Sequence, residues 1–410
     1  MNRYYPWVIS GIACIVLLVS NGMSITGLSV YDEALLDEFG WSRGELKFRD
    51  MVTFSTSAIL APFGGIFLDR LGVRRCMLAG WLILGGAYLA YSQMDSLTVL
   101  YLVHAALGLV LVLCGLNPAV ILVSSWFEGK RGVAIGIALV GTSLGGMVFP
   151  QYGTLMAQWV GWREAMQWAI VFPACMFALV FFIVRDLPGQ LGMEPVREIA
   201  GGGSAKRMTA GADMGYLEAL KTPTFWALAI TAMTTFYTVL AVQAHLFLYM
   251  RDLSYDAQTA TNAISAFFAC AVIGKFVFGL LSDYLDFKRV FLGNVLVMLA
   301  GASWLAFMHG SLIWLAVAAF GLGWGGVYTT LQLSAVNCFG LKSAGKILGT
   351  ITVLDCFGGG LGIWLTGEFY TRFGNYDLAF QIFVALIFIA TVAITQVRRP
   401  EPRPLQAAAA

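Results

Sequence analysis

Four charged residues lie inside long apolar runs: Arg49, Asp50, Lys275 and Asp355. A charge deep in a membrane span is unfavourable by ~3 kcal/mol on insertion scales, so such residues normally face a cavity or a partner. Lys275 stands in AVIGKFVFGLLSDY (271–284), one turn before Gly279 and ~12 Å along a helix axis from Asp283. Its ammonium can hold an anion, or its stem can snorkel the charge out to water. Asp355 lies ~15 Å from the start of its run and has too short a stem to snorkel. Buried, it must pair with a cation or titrate. It is therefore a candidate proton-coupling group, a counter-ion for Lys275 or Arg49, or one partner of a static salt bridge. Arg49 and Asp50 sit near the start of another run; as neighbours on a helix they point ~100° apart and should not face each other. A link from Arg49 to Asp355 or Glu368 is one expectation, and a plain interfacial anchor the other.

Uncharged polar residues in other apolar runs can complete a pocket: Asn21, Ser24, Asn117, Tyr237, Gln243, Tyr328 and Gln332. His245 has a reference pKa suited to proton handling, yet a hydrogen-bonded structural role is equally expected. His104 and His309 are assigned no role. No Cys/His ligand spacing, nucleophile–base pair or nucleotide-binding loop emerges, so no metal, cofactor or enzymatic activity is expected.

The elements that position these groups follow from composition. Of 410 residues, 59% are hydrophobic and only 12% charged, which marks an integral membrane protein. The net charge of +2, with scattered Lys and Arg, offers no basic face to a nucleic acid. The seven cysteines read as small apolar helix residues. Twelve runs are long enough to cross a bilayer: 6–30, 47–68, 76–93, 97–124, 132–158, 164–184, 225–250, 257–281, 289–309, 312–337, 345–370 and 377–397. The first is too long for a signal peptide and is expected to be retained. Eighteen of the 25 Lys and Arg residues fall on the side of the termini and five on the other (Arg43, Lys47, Arg163, Arg251 and Arg372), with Arg49 and Lys275 within spans. The positive-inside rule then places both termini in the cytoplasm.

The organisation read from these runs is an N-terminal bundle over 1–184, a polar cytoplasmic linker over 185–224, a C-terminal bundle over 225–397 and a cytoplasmic tail over 398–410. The linker contains GGGSAKR and two prolines, and reads as a flexible connector. The bundles repeat each other. GIFLDRLGVRR (65–75) returns as GLLSDYLDFKR (279–289), offset by 214 residues, and the same offset carries Gly145 and Gly146 onto Gly359 and Gly360. Such repeats point to two pseudo-symmetric bundles with a site between them near midplane. Glycines spaced along the fifth and eleventh runs offer smooth faces for helix packing and sliding.

GIFLDRLGVRR fits without a gap the loop motif between helices 2 and 3 of the major facilitator superfamily, which the whole chain resembles. YYPWVI (4–9), FGWSR (39–43), WFEGKRGVAIGIALVGTSLGG (126–146) and TPTFW (222–226) resemble the branch of monocarboxylate transporters and oxalate:formate antiporters. The resemblance implies an all-α membrane protein of twelve helices in two six-helix bundles. It also implies gating by Gly65, Asp69, Arg70, Gly72, Arg74 and Arg75, with Asp283 in the second copy, where Tyr284 replaces the arginine. Asp69 is expected to cap a helix or pair with an arginine across the bundle interface. In that branch an arginine near the position of Lys275 binds the substrate carboxylate, and proton-coupled members carry an aspartate where this chain has Ala271. Lysine keeps the charge but lacks the bidentate fork.

The expected function is secondary active transport of small organic anions, chiefly monocarboxylates, by alternating access. Lys275, Arg49, Asn21, Asn117, Tyr237, Gln243 and Tyr328 would bind substrate, and Asp355, Asp50 and His245 would handle coupling protons. The alternatives are dicarboxylate antiport, efflux of a drug or metabolite, and a non-transporting membrane sensor. The partners expected are the anionic substrate, the lipid bilayer and protons, for a chain acting as a monomer in a bacterial inner membrane.

Overall fold

The computed structural model describes residues 4–127, 130–196, 214–308, 312–339 and 344–398. The middle of the linker, the tail beyond 398 and the side chain of Asp283 lie outside the described residues. The first pass is α1 (Tyr5–Asn21), continued by a π turn (Gly22–Thr26), a 3-10 turn (Ser29–Tyr31) and α2 (Asp32–Phe39). Next come α3 (Arg43–Leu71) and α4 (Val73–Ser92), then α5 (Leu97–Cys114) and α6 (Leu116–Trp126), which share one pass broken at Gly115. α7 (Arg131–Ala169) runs out and turns at Gly161, where φ is +81°, and α8 (Val171–Ile183) completes the return. A short α9 (Tyr216–Ala219) precedes the second half: α10 (Pro223–Asp252), α11 (Ala257–Tyr284), α12 (Phe287–Phe307), α13 (Ile313–Phe339), α14 (Ala344–Phe373) and α15 (Asp377–Thr395).

Ten helical stretches are long and apolar enough to cross a membrane. One of them, Gly132–Ile183, holds two passes, and Val73–Ser92, with Arg74 and Arg75 at its start, is a further one. The twelve expected passes are thus all present. A belt of exposed apolar side chains, including Ile59, Leu82, Leu102, Phe182, Phe276 and Phe388, faces outward as lipid requires. Exposed Trp159 and Trp168 stand near the α7 turn, at the level where indoles favour the interface. The protein is a multi-pass integral membrane protein of all-α architecture.

Local chemistry sets the helix starts. Ser42 caps α3 in a reciprocal box: its hydroxyl accepts from the Glu45 amide at 3.2 Å, and the Glu45 carboxylate accepts from the Ser42 amide at 2.9 Å. Asp256 caps α11 by accepting from the Thr259 amide at 3.0 Å. Pro6 and Pro223 occupy first-turn positions, where a missing amide hydrogen does no harm.

The passes turn at two levels. The linker end holds the α3–α4, α6–α7, α11–α12 and α13–α14 junctions and both flanks of the linker. The far end holds the α2–α3, α4–α5, α10–α11, α12–α13 and α14–α15 junctions and the α7 turn. Glycine pairs separated by 214 residues take equivalent places. A Cβ on Gly145 would strike the α1 backbone at Leu18, and one on Gly359 would strike Leu240 of α10, both inside their own halves. A Cβ on Gly146 would instead meet the Phe268 ring of the opposite half at 2.5 Å, and one on Gly360 would meet Met51 and Phe54 of the opposite half at 3.3 Å. The repeat therefore lays one glycine of each pair against its own bundle and the next against the seam. Gly132 and Gly136 face open space, so the smooth face does not extend to the linker end.

Candidate functional site

Lys275 lies in α11 at the seam between halves. Its Nζ donates to Ser143 Oγ at 2.8 Å and Thr142 Oγ1 at 3.2 Å, both on α7 of the opposite half. The ammonium is directed into the protein, not snorkelled to water or lipid. Among the described residues no carboxylate lies within ion-pair distance of it, so its neighbours are neutral hydroxyls. Of the cross-half hydrogen bonds among the described residues, this is the nearest to the linker end.

Asp355, on α14, is buried, and no described cation pairs with it. It lies beside Cys356 and close to Tyr328 and Gln332 of α13. Tyr328 also sits beside Phe236 of α10. The carboxyl, the phenol and the amide form a polar cluster within the second half. Neither Lys275 nor Arg49 is its ion-pair partner, so the expected exchange between them is not the resting arrangement.

Arg49 departs from both expectations. It is buried inside the first half, where its Nη2 donates to Asp32 and its Nη1 donates to Tyr91 Oη at 2.8 Å. It reaches neither Asp355 nor Glu368. The carboxylate of Glu368 accepts from Arg372 and its backbone packs against Gly44. Nor do Arg49 and Asp50 point wholly apart: Arg49 Nε lies 3.6 Å from Asp50 Oδ2, because the flexible arginine stem curls back. That separation is too long for a hydrogen bond. Lys47, counted by sequence among the loop charges, is fully buried in α3. Its Nζ donates to Asp32 Oδ2 at 2.5 Å and to the Ala244 carbonyl of the opposite half at 2.6 Å. Asp32, the common anion of Lys47 and Arg49, escaped the sequence reading because DEALLDEF looks like an ordinary acidic loop helix. The signal was available in GELKFRD (44–50): four charges in six residues cannot all reach the surface of one helix.

Asp50 faces a small cavity between the halves, lined by Thr26, Ile25, Leu240, Gln243, Ala244 and Ile363. Asp50 Oδ2 and Thr26 Oγ1 are buried without a hydrogen-bond partner. Gln243 thus belongs with Asp50 rather than with Lys275. His245 is committed structurally, with Nδ1 3.1 Å from Tyr376 Oη and Nε2 2.9 Å from the Ile363 carbonyl. Asn21 is half-buried beside Ser20, and Asn117 is exposed on α6. Tyr237 packs its ring on Phe383 inside the second half.

The far end carries a dense cross-half network. Arg43 grips Asp252 with two parallel bonds of 2.6 and 2.7 Å, donates to Tyr376 Oη at 2.7 Å and covers the Tyr370 ring at 3.7 Å. Arg251 binds Glu33 through Nε at 2.8 Å and Nη2 at 2.9 Å. Gln151 donates to Asn262 and Ser265, and Thr154 bonds Thr261 at 2.5 Å. At the linker end the motif residues serve their own half. Gly72 adopts φ +84° against Asp186, whose carboxylate accepts from the Arg74 amide at 2.7 Å, while the Arg74 side chain binds the Phe181 carbonyl. Gly65, Asp69, Arg70 and Arg75 are exposed. Among the described residues no arginine of the opposite half pairs with Asp69.

Comparison with known proteins agrees with this architecture. The profile of the Major Facilitator Superfamily matches residues 12–362 and 248–410. The oxalate:formate antiporter of Oxalobacter formigenes is 25% identical over 99% of this chain and 94% of its own. Monocarboxylate transporter 13 of Bos taurus is 25% identical over 78% of this chain and 73% of its own. A bacterial homologue of the human lysosomal transporter Spinster, solved inward-facing and occupied, superposes with a TM-score of 0.70 at 16% identity, covering 97% of each chain. With a family match over most of its length and twelve passes in place, the chain belongs to the major facilitator superfamily.

Proposed function

We propose that the protein moves small organic anions, chiefly monocarboxylates, across a bacterial inner membrane by alternating access, with both termini in the cytoplasm and the chain acting as a monomer. The halves 1–184 and 225–397 rock about the site while the linker, 185–224, joins them. The observation that carries this reading is Lys275: a cation at the seam, among neutral hydroxyls, with a donor set that an incoming carboxylate can take over. Burying an ammonium without a counter-ion is unfavourable, and a bound anion supplies the missing charge. Thr142 and Ser143 then hold the ammonium in position until substrate arrives. Asp355 is the second charged group of the central region and, with Tyr328 beside it, takes the coupling proton. Dicarboxylate exchange is a second reading, favoured by the end-to-end match to an oxalate:formate antiporter.

The test is uptake of a panel of labelled mono- and dicarboxylates by proteoliposomes. Lys275→Ala should abolish uptake of the preferred anion while the protein elutes and melts as wild type. Uptake unchanged in that variant removes the lysine from the site. Asp355→Asn should retain substrate exchange and lose substrate-driven alkalinisation of the external medium.

A further inference from the structure

We infer that Asp50 is a proton-binding gate residue: the far end closes with its carboxyl protonated and opens when the proton leaves. This rests on the alternating-access reading and adds to it a group that works at the seam itself.

Closing the halves brings Asp50 and Thr26 of the first half against Leu240, Gln243, Ala244 and Ile363 of the second. The Asp50 side chain keeps only 9% of its accessibility, and its Oδ2 has no donor. An ionised carboxylate oxygen is acceptor-only, so in this setting it surrenders water and gains no hydrogen bond, only the Arg49 guanidinium 3.6 Å away. The protonated form supplies one O–H donor, and the cavity offers acceptors in the unpartnered Thr26 hydroxyl and the Gln243 side-chain oxygen. When the halves part, water reaches the carboxylate and the proton passes to the far-side solvent.

Apart from Arg49 Nε and His104 Nε2, which are buried without a hydrogen-bond partner, the charged and titratable neighbours are engaged elsewhere. On α3 itself, Lys47 is held by Asp32 and the Ala244 carbonyl, and the Arg49 terminal nitrogens are held by Asp32 and Tyr91. Asp32 from α2 sets one negative charge against those two cations, so the trio keeps one positive charge, which favours ionised Asp50 and which the loss of water on closure must outweigh. From α4, Tyr91 accepts from Arg49, and among the described residues no hydrogen bond joins it to Asp50. From α5, His104 bonds Thr53 through Nδ1 at 2.8 Å. From α10, His245 has both ring nitrogens bonded, and α14 presents the apolar Ile363. Arg49 Nε at 3.6 Å is the one cationic atom facing Oδ2, and it favours the ionised form. It lies beyond hydrogen-bond range, whereas Oδ2 is cut off from water on closure.

The sign follows directly. Closure takes up a proton, so the far-closed population is greatest in acid and falls as pH rises. Spin labels at Asp95→Cys and Asn375→Cys, exposed far-end positions in opposite halves, report the separation in nanodiscs once the native cysteines are replaced. In the absence of substrate, the ratio of closed to open protein should fall at least about tenfold between about pH 5 and about pH 9. Asp50→Asn, which mimics the neutral acid, should stay closed throughout. Thr26→Val, which removes one acceptor, should shift the transition toward lower pH, and this arm stands even if the asparagine variant fails to fold. His245→Gln and His104→Gln should leave the pH dependence in place. A pH-independent separation in wild type, pH dependence surviving in Asp50→Asn, or its loss in a histidine variant overturns the proposal. Each readout is independent of anion uptake, so failure here is distinct from failure at Lys275.

Discussion

The two ends of the bundle are built from similar residues and put to opposite use. At the far end, Arg43, Arg251, Gln151 and Thr154 all bond to the other half. At the linker end, Arg74 bonds to Phe181 of its own half and to Asp186 at the start of the linker, and among the described residues no hydrogen bond crosses the seam nearer that end than Lys275. The difference is one of connection rather than charge: among the described linker-end cations, Arg74 braces a turn while Arg70 and Arg75 stand exposed. The structure is thus a conformer sealed at the far end. Two-state transport needs such an asymmetry, since bonds present at only one end bias which side of the site is open.

The largest effect should come from Asp32→Ala. It strands Lys47 and Arg49 in the interior without their carboxylate, and breaking a buried pair in this way costs roughly 3–5 kcal/mol. Thermal melting should show a large loss, and a wild-type melting point would show that these charges are solvated after all. Next, Gly146→Leu drives a side chain into Phe268 at the seam, an overpacking of about 1–3 kcal/mol. It should slow transport about tenfold or more while the halves still fold, so unaffected uptake would mean the seam is not tight there. Arg43→Ala removes a bidentate charge-assisted contact worth roughly 1.5–3 kcal/mol, so spin labels across the far end should report a shift toward the open state of about tenfold or more. The smallest effect belongs to Arg75→Ala at the linker end, where an exposed side chain should change stability by no more than about 0.5 kcal/mol and leave the far-end separation unchanged. Equal responses to Arg43→Ala and Arg75→Ala would erase the contrast between the ends.

Much of the fold was legible because lipid makes apolar length and period decisive. The twelve passes, the 214-residue repeat and the depth of Lys275 all follow from that. Less legible was which side of each helix meets which neighbour. Gly145 and Gly146 look alike in sequence, yet one packs on α1 and the other on the opposite half. Lys47 and Asp32 were hidden for a related reason: charges close to a span's end look like loop residues until tertiary contact buries them. Asp186 was masked in the same way, as a linker residue that in fact tethers the Gly72 turn. The partner of Arg49 went astray because sequence spacing ranks carboxylates by helix register, whereas a long guanidinium stem chooses by reach.

The central claim is that Lys275 is the charge partner of the transported anion. Equilibrium binding of the preferred carboxylate to purified protein, with and without Lys275→Ala, tests it most directly. A charge-assisted contact of roughly 1.5–3 kcal/mol predicts that the variant binds about 10- to 100-fold more weakly at an unchanged melting temperature. Equal affinity in the two proteins would contradict the account.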